Sequence, residues 1–249
     1  MIYNFSNIKA GGGIQSSLSF LNFLSRLNFK KNNTLILSKK LNSILSKQKI
    51  DLTSFKVITV KNSIHKIFLL TFHNHDKVFT IFGPTYAFKK KGVKWINGFA
   101  QAWILFPKNK VYNEINLFNR YFLKIKFKIQ EFIFSKSDIL IVEHEKIQDL
   151  LINLYPNKEI IVAKNSVNQV FKRQRLWEKI EINSSKTKIG IIGNSYIHKN
   201  LKILPKIKKK LIEEYGLESD FYVTLNTLEM KKMDDNFNQN INSVGEIPI

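Results

Sequence analysis

The sequence contains no cysteine. That absence excludes a disulfide scaffold, thiolate metal sites and thiol nucleophiles together, and it fits a reducing, intracellular setting. Long apolar runs are also missing. The densest, Ile67 to Phe72, is far shorter than the roughly 20 apolar residues needed to cross a bilayer. The opening residues, Met1 to Gly13, carry no basic stretch followed by an apolar one, so no secretory signal is read there. Arginine is scarce: Arg26, Arg120, Arg173 and Arg175 are the four guanidinium groups among 40 basic residues. Arginine is the usual reader of bases and of bidentate phosphate contacts, so its scarcity argues against nucleic acid as a partner.

What is present points to a folded chain. Hydrophobic residues make up 44% of the 249, with 20 Phe and 8 Tyr, more than a disordered chain carries. The net charge is +21. Such a field favours polyanions, anionic lipid or phosphorylated substrates. Heavy use of Lys, Asn, Ile and Phe throughout also reads as a compositional bias with no functional content.

Short β-rich runs alternate with longer helical stretches, the pattern of a parallel α/β sheet. Strands are predicted at 2–5, 34–37, 55–60, 78–82, 93–96, 138–142 and 159–163. Helical spacing of Ile14, Leu18, Leu21, Leu24 and Leu27 predicts a helix after the first strand, and 114–135 and 145–154 read as two more. The polar, irregular stretch 165–185 is the best linker candidate. The pattern then restarts with a strand at 188–192, a helix at 199–215 and a strand at 221–225.

Gly11, Gly12 and Gly13, followed by Ile14 and Gln15, lie between a strand and a helix. Glycines there let backbone approach an anion, and free N–H groups at a helix start favour phosphate. The run is neither the G-x-G-x-x-G fingerprint nor a Walker loop, and a tight turn that binds nothing explains it as well. Gly193-Asn194-Ser195-Tyr196 and Lys199 hold the equivalent place in the second unit. They read as a diphosphate cradle with Lys199 as the charge, or as a helix start with an exposed lysine. His73-Asn74-His75-Asp76 looks like a ligand cluster, but with five His, no Cys and no second cluster it reads as a polar turn. One of these histidines, His73, is kept as an acceptor-side candidate. Phe118, Tyr121, Phe122, Ile125, Ile129, Phe132 and Ile133 form an apolar stripe beside Lys124, Lys126 and Lys128. The stripe reads as a core-facing helix with snorkelling lysines, with a basic membrane-surface helix as the other reading. No catalytic triad or carboxylate pair stands out, so no catalytic side chain is assigned.

In order, these landmarks resemble glycosyltransferase family 4, the GT-B enzymes of bacterial surface-polysaccharide synthesis. The first glycine loop, Phe79 to Pro84, Asn97 to Ala100, Ser137 to Glu143, Ile160 to Val167 with Phe171, and Ile189 to Leu201 carry the likeness. It implies two Rossmann-like parallel-sheet domains: an acceptor-side domain at 1–168, a linker at 169–186 and a donor-side domain at 187–249. Only about 60 residues follow 187 where such a domain takes roughly 100 to 150, so the second is expected to be incomplete. By this resemblance the activity is sugar transfer from a nucleotide-diphosphate donor to a glycan or polyprenyl-linked acceptor, retaining and without metal or other cofactor. Gly11, Gly12, Gly13, Gln15, Asn194, Ser195 and Lys199 would face the donor phosphates, and Gly83 and Gly98 would join His73 on the acceptor side. Asn194 stands where the family often has Arg. The family's paired-glutamate segment lies later than this sequence runs, and Glu246 is no substitute for it. The enzyme would be cytoplasmic, with membrane-surface contact as an option. A non-catalytic remnant of such an enzyme, and a basic nucleic-acid-binding module, are the alternatives.

Overall fold

A computed structural model describes residues 1–27, 33–48, 50–164 and 180–245. Residues 165–179, which hold most of the expected linker together with Asn165 to Val167 and Phe171, lie outside the described residues, as do 246–249 with Glu246. The chain divides into two compact units, Met1–Gln174 and Arg175–Ile249.

The first unit is a seven-stranded sheet. Its strands are β1 (Ile2–Phe5), β2 (Thr34–Leu37), β3 (Lys56–Thr59), β4 (Lys77–Thr80), β5 (Lys94–Gly98), β6 (Ile139–Val142) and β7 (Glu159–Val162). The spatial order is β3-β2-β1-β4-β5-β6-β7, with every neighbouring pair parallel. The order reverses between β1 and β4. Parallel strands need crossovers, and helices supply all but one of them: α1 (Gly12–Leu24), α2 (Lys39–Leu45), α3 (Ser63–Phe72), α4 (Ala102–Leu105), α5 (Leu117–Ser135) and α6 (Glu145–Leu154), while β4 passes to β5 through the loop 81–93.

Successive strand residues point to opposite faces, and both faces are covered. On one, Tyr3, Phe5, Leu35 and Leu37 pack with Ile14, Leu18, Leu21 and Leu24 of α1 and Leu41 of α2. On the other, Ile2, Ile36, Val78 and Trp95 pack with Leu70 of α3, and Ile133 of α5 lies against them. Burying each such side chain contributes about 1.5–3 kcal/mol. Polar caps fix the starts of α2, α3 and α5. Ser38 accepts from Leu41 N–H, Asn62 from His65 N–H and Asn116 from Asn119 N–H.

Helix α5 corrects the core-facing reading of the apolar stripe. Its buried residues are Phe127, Gln130 and Phe134. Phe118, Tyr121, Phe122, Ile125, Ile129 and Phe132 are exposed. At 3.6 residues per turn they fall on the side opposite the buried one.

The second unit holds a three-stranded parallel sheet, ordered β10-β9-β8. It consists of β8 (Thr187–Ile191), β9 (Ser219–Val223) and β10 (Ile241–Ser243), joined through α7 (Leu204–Tyr215), α8 (Thr227–Met230) and α9 (Asp235–Asn240). Leu201, Leu204, Phe221, Val223, Leu225, Phe237 and Ile241 form its core. The helix expected from Lys199 begins later. Two single-turn 3-10 segments, Ile197–Lys199 and Leu201–Ile203, precede α7 and are separated by Asn200 in the left-handed region at φ 48°. Pro205 sits in the first turn of α7, where its missing N–H costs nothing. A helix starting at 199 would place that proline in its interior and lose a hydrogen bond. The architecture is α/β with two parallel sheets.

Candidate functional site

In an open parallel sheet, loops at the carboxyl ends of two strands diverge where the strand order reverses, and ligands bind there. In the first unit that place is the β1/β4 boundary. The loop leaving β1 runs Ser6 to Gly11 and opens α1. Gly11 takes the N-cap position at φ 62°, which favours glycine, and no side chain caps the helix. A Cβ at Gly11 or Gly12 would meet nothing within 4 Å, so the space beside these amides is open. Gln15 is half-buried in the first turn.

The loop leaving β4 is stapled to it by Asn7. The Asn7 amide donates to the carbonyls of Phe82 and Pro84, both at 3.1 Å. Gly83 lies between them at φ 86°, and its N–H donates to the Gly98 carbonyl at 2.9 Å. The lack of a side chain at Gly98 has a packing reason. A Cβ there would stand 1.8 Å from the Ile81 carbonyl oxygen.

Beneath these loops a buried chain of polar groups links residues of three strands, Asn4, Thr80 and Asn97, through Thr85 of the β4 loop to Ser137 just ahead of β6. Asn4 Nδ2 donates to Thr80 Oγ1 at 3.0 Å, Thr80 and Thr85 hydroxyls are 2.6 Å apart, and Thr85 donates to Asn97 Oδ1 at 2.6 Å. Asn97 Nδ2 then donates to Ser137 Oγ at 2.6 Å. The direction is forced. Ser6 N–H, which can only donate, meets Asn4 Oδ1 at 3.1 Å and so turns the Asn4 amide nitrogen toward Thr80. Thr85 has one proton and gives it to Asn97, so Thr80 must donate to Thr85. Bonds aligned head to tail reinforce one another and hold the loops in place.

Lys66, on α3, reaches the same corner. Its ammonium donates to Asn7 Oδ1 at 3.3 Å and lies 4.5 Å from the Tyr86 ring centre. Burial lowers its pKa, and the charge of Lys9 lowers it further. An incompletely solvated ammonium beside open helix-start amides suits an anion.

His73 is not part of this corner. It caps the carboxyl end of α3 ahead of β4, and Asp76 next to it pairs with the N-terminal amine of Met1 at 3.7 Å. Both mark the amino edge of the sheet. Gly83 and Gly98 stand at the carboxyl edge, so the strands separate His73 from its expected companions. Burial lowers the pKa of His73, and Lys56 and the N-terminus add to the effect. Among the described residues no group of three or more His, Asp or Glu is placed to hold a metal ion.

The second unit repeats the loop with different chemistry. Gly193 to Tyr196 leave β8, and Thr224 holds the turn by accepting from Gly193 N–H at 3.0 Å. Ser195 gives both its N–H and its hydroxyl to Glu229 Oε1, each at 2.9 Å. Both of these Ser195 donors are directed at a carboxylate. Burial works against the Glu229 charge, but donation from Ser195 and Asn226 outweighs it and the pKa is lowered. Asn194 is half-buried in the turn, and Lys199 is exposed at the end of the first 3-10 segment. Lys199 makes no ion pair among the described residues.

A number of solved structures resemble the chain. A glycosyltransferase from Rickettsia africae ESF-5 superposes with a TM-score of 0.56 at 14% identity, covering 99% of this chain and 68% of that one. The chain shares its GT-B-like fold. A UDP-GlcNAc 2-epimerase from Neisseria meningitidis, bound to UDP-GlcNAc, gives a TM-score of 0.48 at 13% identity, covering 100% of this chain and 72% of that one. That likeness is too slight to carry an argument. No family model matches, and no curated protein does either.

The sequence reading missed Asn4, Asn7, Lys66, Tyr86 and Glu229. A signal existed for the first: a polar residue inside the otherwise apolar strand Ile2–Phe5 needs a buried partner. Lys66 and Glu229 gave none, because each reaches its loop from a helix distant in sequence.

Proposed function

We propose that the chain is a glycosyltransferase, moving a sugar from a nucleotide-diphosphate donor to a glycan or polyprenyl-linked acceptor in surface-polysaccharide synthesis. Residues 1–168 form its acceptor-side domain, 169–186 the linker and 187–249 the donor-side domain. The observation that carries the reading is the uncapped start of α1, with open space beside Gly11 and Gly12, placed where the strand order reverses. The fold shared with a solved glycosyltransferase supports it.

In this mechanism the amides of the first glycine loop bind donor phosphate, helped by the field of Lys9 and Lys66. In the second unit, taken by itself, Lys199 and the Asn194 amide are phosphate-facing groups able to offset negative charge on a bound phosphate. Fixed cations and amides do this without a metal, and the transfer retains anomeric configuration. Gly83 and Gly98 shape the acceptor side through backbone alone.

The test is thermal unfolding with uridine and guanosine diphosphates and their sugar conjugates. A nucleotide at a hundred times its Kd stabilises the folded state by about 2.7 kcal/mol, which raises Tm by several degrees. Gly12→Asp, tolerated by the open space at that position, should abolish the rise without lowering the baseline Tm. A flat response to every uridine and guanosine compound would overturn the reading.

A further inference from the structure

The outer surface of α3, residues 86–91 and α5 is one continuous patch, both apolar and basic. Tyr86 binds the helices together: the Lys66 ammonium lies over its ring, and Gln130 of α5 donates to its hydroxyl at 2.6 Å. Phe88 N–H donates to Thr71 of α3 at 3.1 Å, Lys90 lies 5.5 Å from the Phe72 ring centre, and Lys89 donates to the Lys136 carbonyl at 3.0 Å.

Large side chains project from this surface. Phe118 is 72% exposed, Phe88 75%, Phe132 63% and Phe72 61%. Ile64, Phe68 and Phe72 recur at i, i+4, i+8 on α3, and Phe118, Phe122, Ile125, Ile129 and Phe132 run at helical spacing along α5. Leaving this much aromatic surface in water is unfavourable unless something covers it. Charge says what. Residues 61–72, 86–91 and 117–136 carry ten Lys and Arg against one acid, Glu131, which is paired with Lys128 at 3.0 Å, while Lys89 is paired with Asp138 at 2.7 Å. By helical angle, Lys124 and Lys128 flank the α5 stripe on one side and Lys126 on the other. A shallow apolar groove between Tyr86, Phe122, Ile125 and Ile129 adds room for part of a hydrocarbon chain.

A protein partner matching this surface would need a large apolar face ringed by acids, and the acidic groups of this chain are too few and too dispersed for a second copy to supply one. We infer that this patch docks the first unit onto an anionic lipid bilayer, with the phenylalanines entering the boundary between headgroups and acyl chains and the lysines meeting lipid phosphates. The helix lies in the plane of the surface. Among the described residues none is in a helix long and apolar enough to cross a membrane. The inference stands independently of the proposed reaction, since of the residues involved only Lys66 and Tyr86 reach the corner at β1 and β4, and neither is altered in the test below.

Sedimentation of the full chain with sucrose-loaded vesicles tests it. Vesicles of phosphatidylglycerol and phosphatidylcholine should carry the protein down, pure phosphatidylcholine should carry much less, and half-molar salt should release it. Phe118→Ser, Phe122→Ser and Phe132→Ser combined, and separately Lys124→Glu, Lys126→Glu and Lys128→Glu combined, should each reduce partitioning, the second by roughly fivefold or more per lysine. Nucleotide-induced shifts in Tm should persist in both variants, which separates this inference from the transferase reading. Absence of binding to anionic vesicles, or binding that ignores both salt and the two variants, would overturn it. So would a stable dimer of the unaltered chain that the phenylalanine variant dissociates. The salt response of the unaltered chain gives an answer even if a variant fails to fold.

Discussion

Each sheet has a strand running into a small-residue loop, yet the two loops are chemically unlike. After β1 the loop offers amides of an uncapped helix, with Lys66 brought beside it by α3. After β8 the loop is already occupied by an acid, because α8 brings Glu229 to the Ser195 N–H and hydroxyl. Strand topology decides where a loop lies. The charge it presents comes from whichever later helix packs against it. The first loop presents free amides and a nearby ammonium, and the second carries Lys199 on an exposed turn with no ion pair among the described residues.

The largest way to break the comparison is steric. Gly98→Ala, with its Cβ 1.8 Å from the Ile81 carbonyl, should cost about 3 kcal/mol or more in urea unfolding of the first unit. Gly190→Ala on β8, where nothing stands within 4 Å, should be neutral or stabilise by about 0.4–1 kcal/mol. Next in size is Thr85→Val, which leaves Thr80 without an acceptor and Asn97 Oδ1 without a donor. It should cost about 2–3 kcal/mol by the same measurement, with no counterpart in the second unit. Lys199→Ala should weaken nucleotide-diphosphate binding about tenfold, or roughly 1.4 kcal/mol by calorimetry, while leaving Tm almost unchanged. The smallest effect is titration of Glu229. Its folded pKa lies below the unfolded value near 4.5, so its contribution is fully present above that value and fades as pH falls through the folded one. Glu229→Gln should flatten that part of the acid dependence of Tm, and a wild-type-like acid profile in the variant would remove the acid from the second loop.

Much of the fold was legible. Runs such as Thr34–Leu37 and Ile139–Val142 are short, apolar and β-branched, which suits strands buried on both faces, and they became β2 and β6. Helix α6 follows the same logic at Glu145–Leu154. Helices α2 and α3 were not read. Lys39–Leu45 is too short to show a period, and Ile67–Phe72 is apolar on all sides, so its helical spacing is hidden. The stripe on α5 was legible as a stripe but not as to its direction. Periodicity shows that residues share a face, and does not show whether that face meets the core or solvent. The site was legible at its glycines, where backbone freedom leaves a local mark, and illegible at Asn7, Lys66 and Glu229, whose roles depend on partners up to 77 residues away.

By itself the sequence determined the class of architecture, because strand and helix periods are local and each must hide its own apolar side. It also restricts where α7 can start, since Pro205 is tolerated in a first turn and not in a helix interior, although the start was read at Lys199. Only the tertiary structure decided that His73 and Gly83 lie at opposite edges of one sheet, that Ser195 is held by a carboxylate, and that the aromatic side of α5 faces outward. Each of these depends on how distant segments pack, and packing is settled by the sum of many weak contacts that no local pattern records.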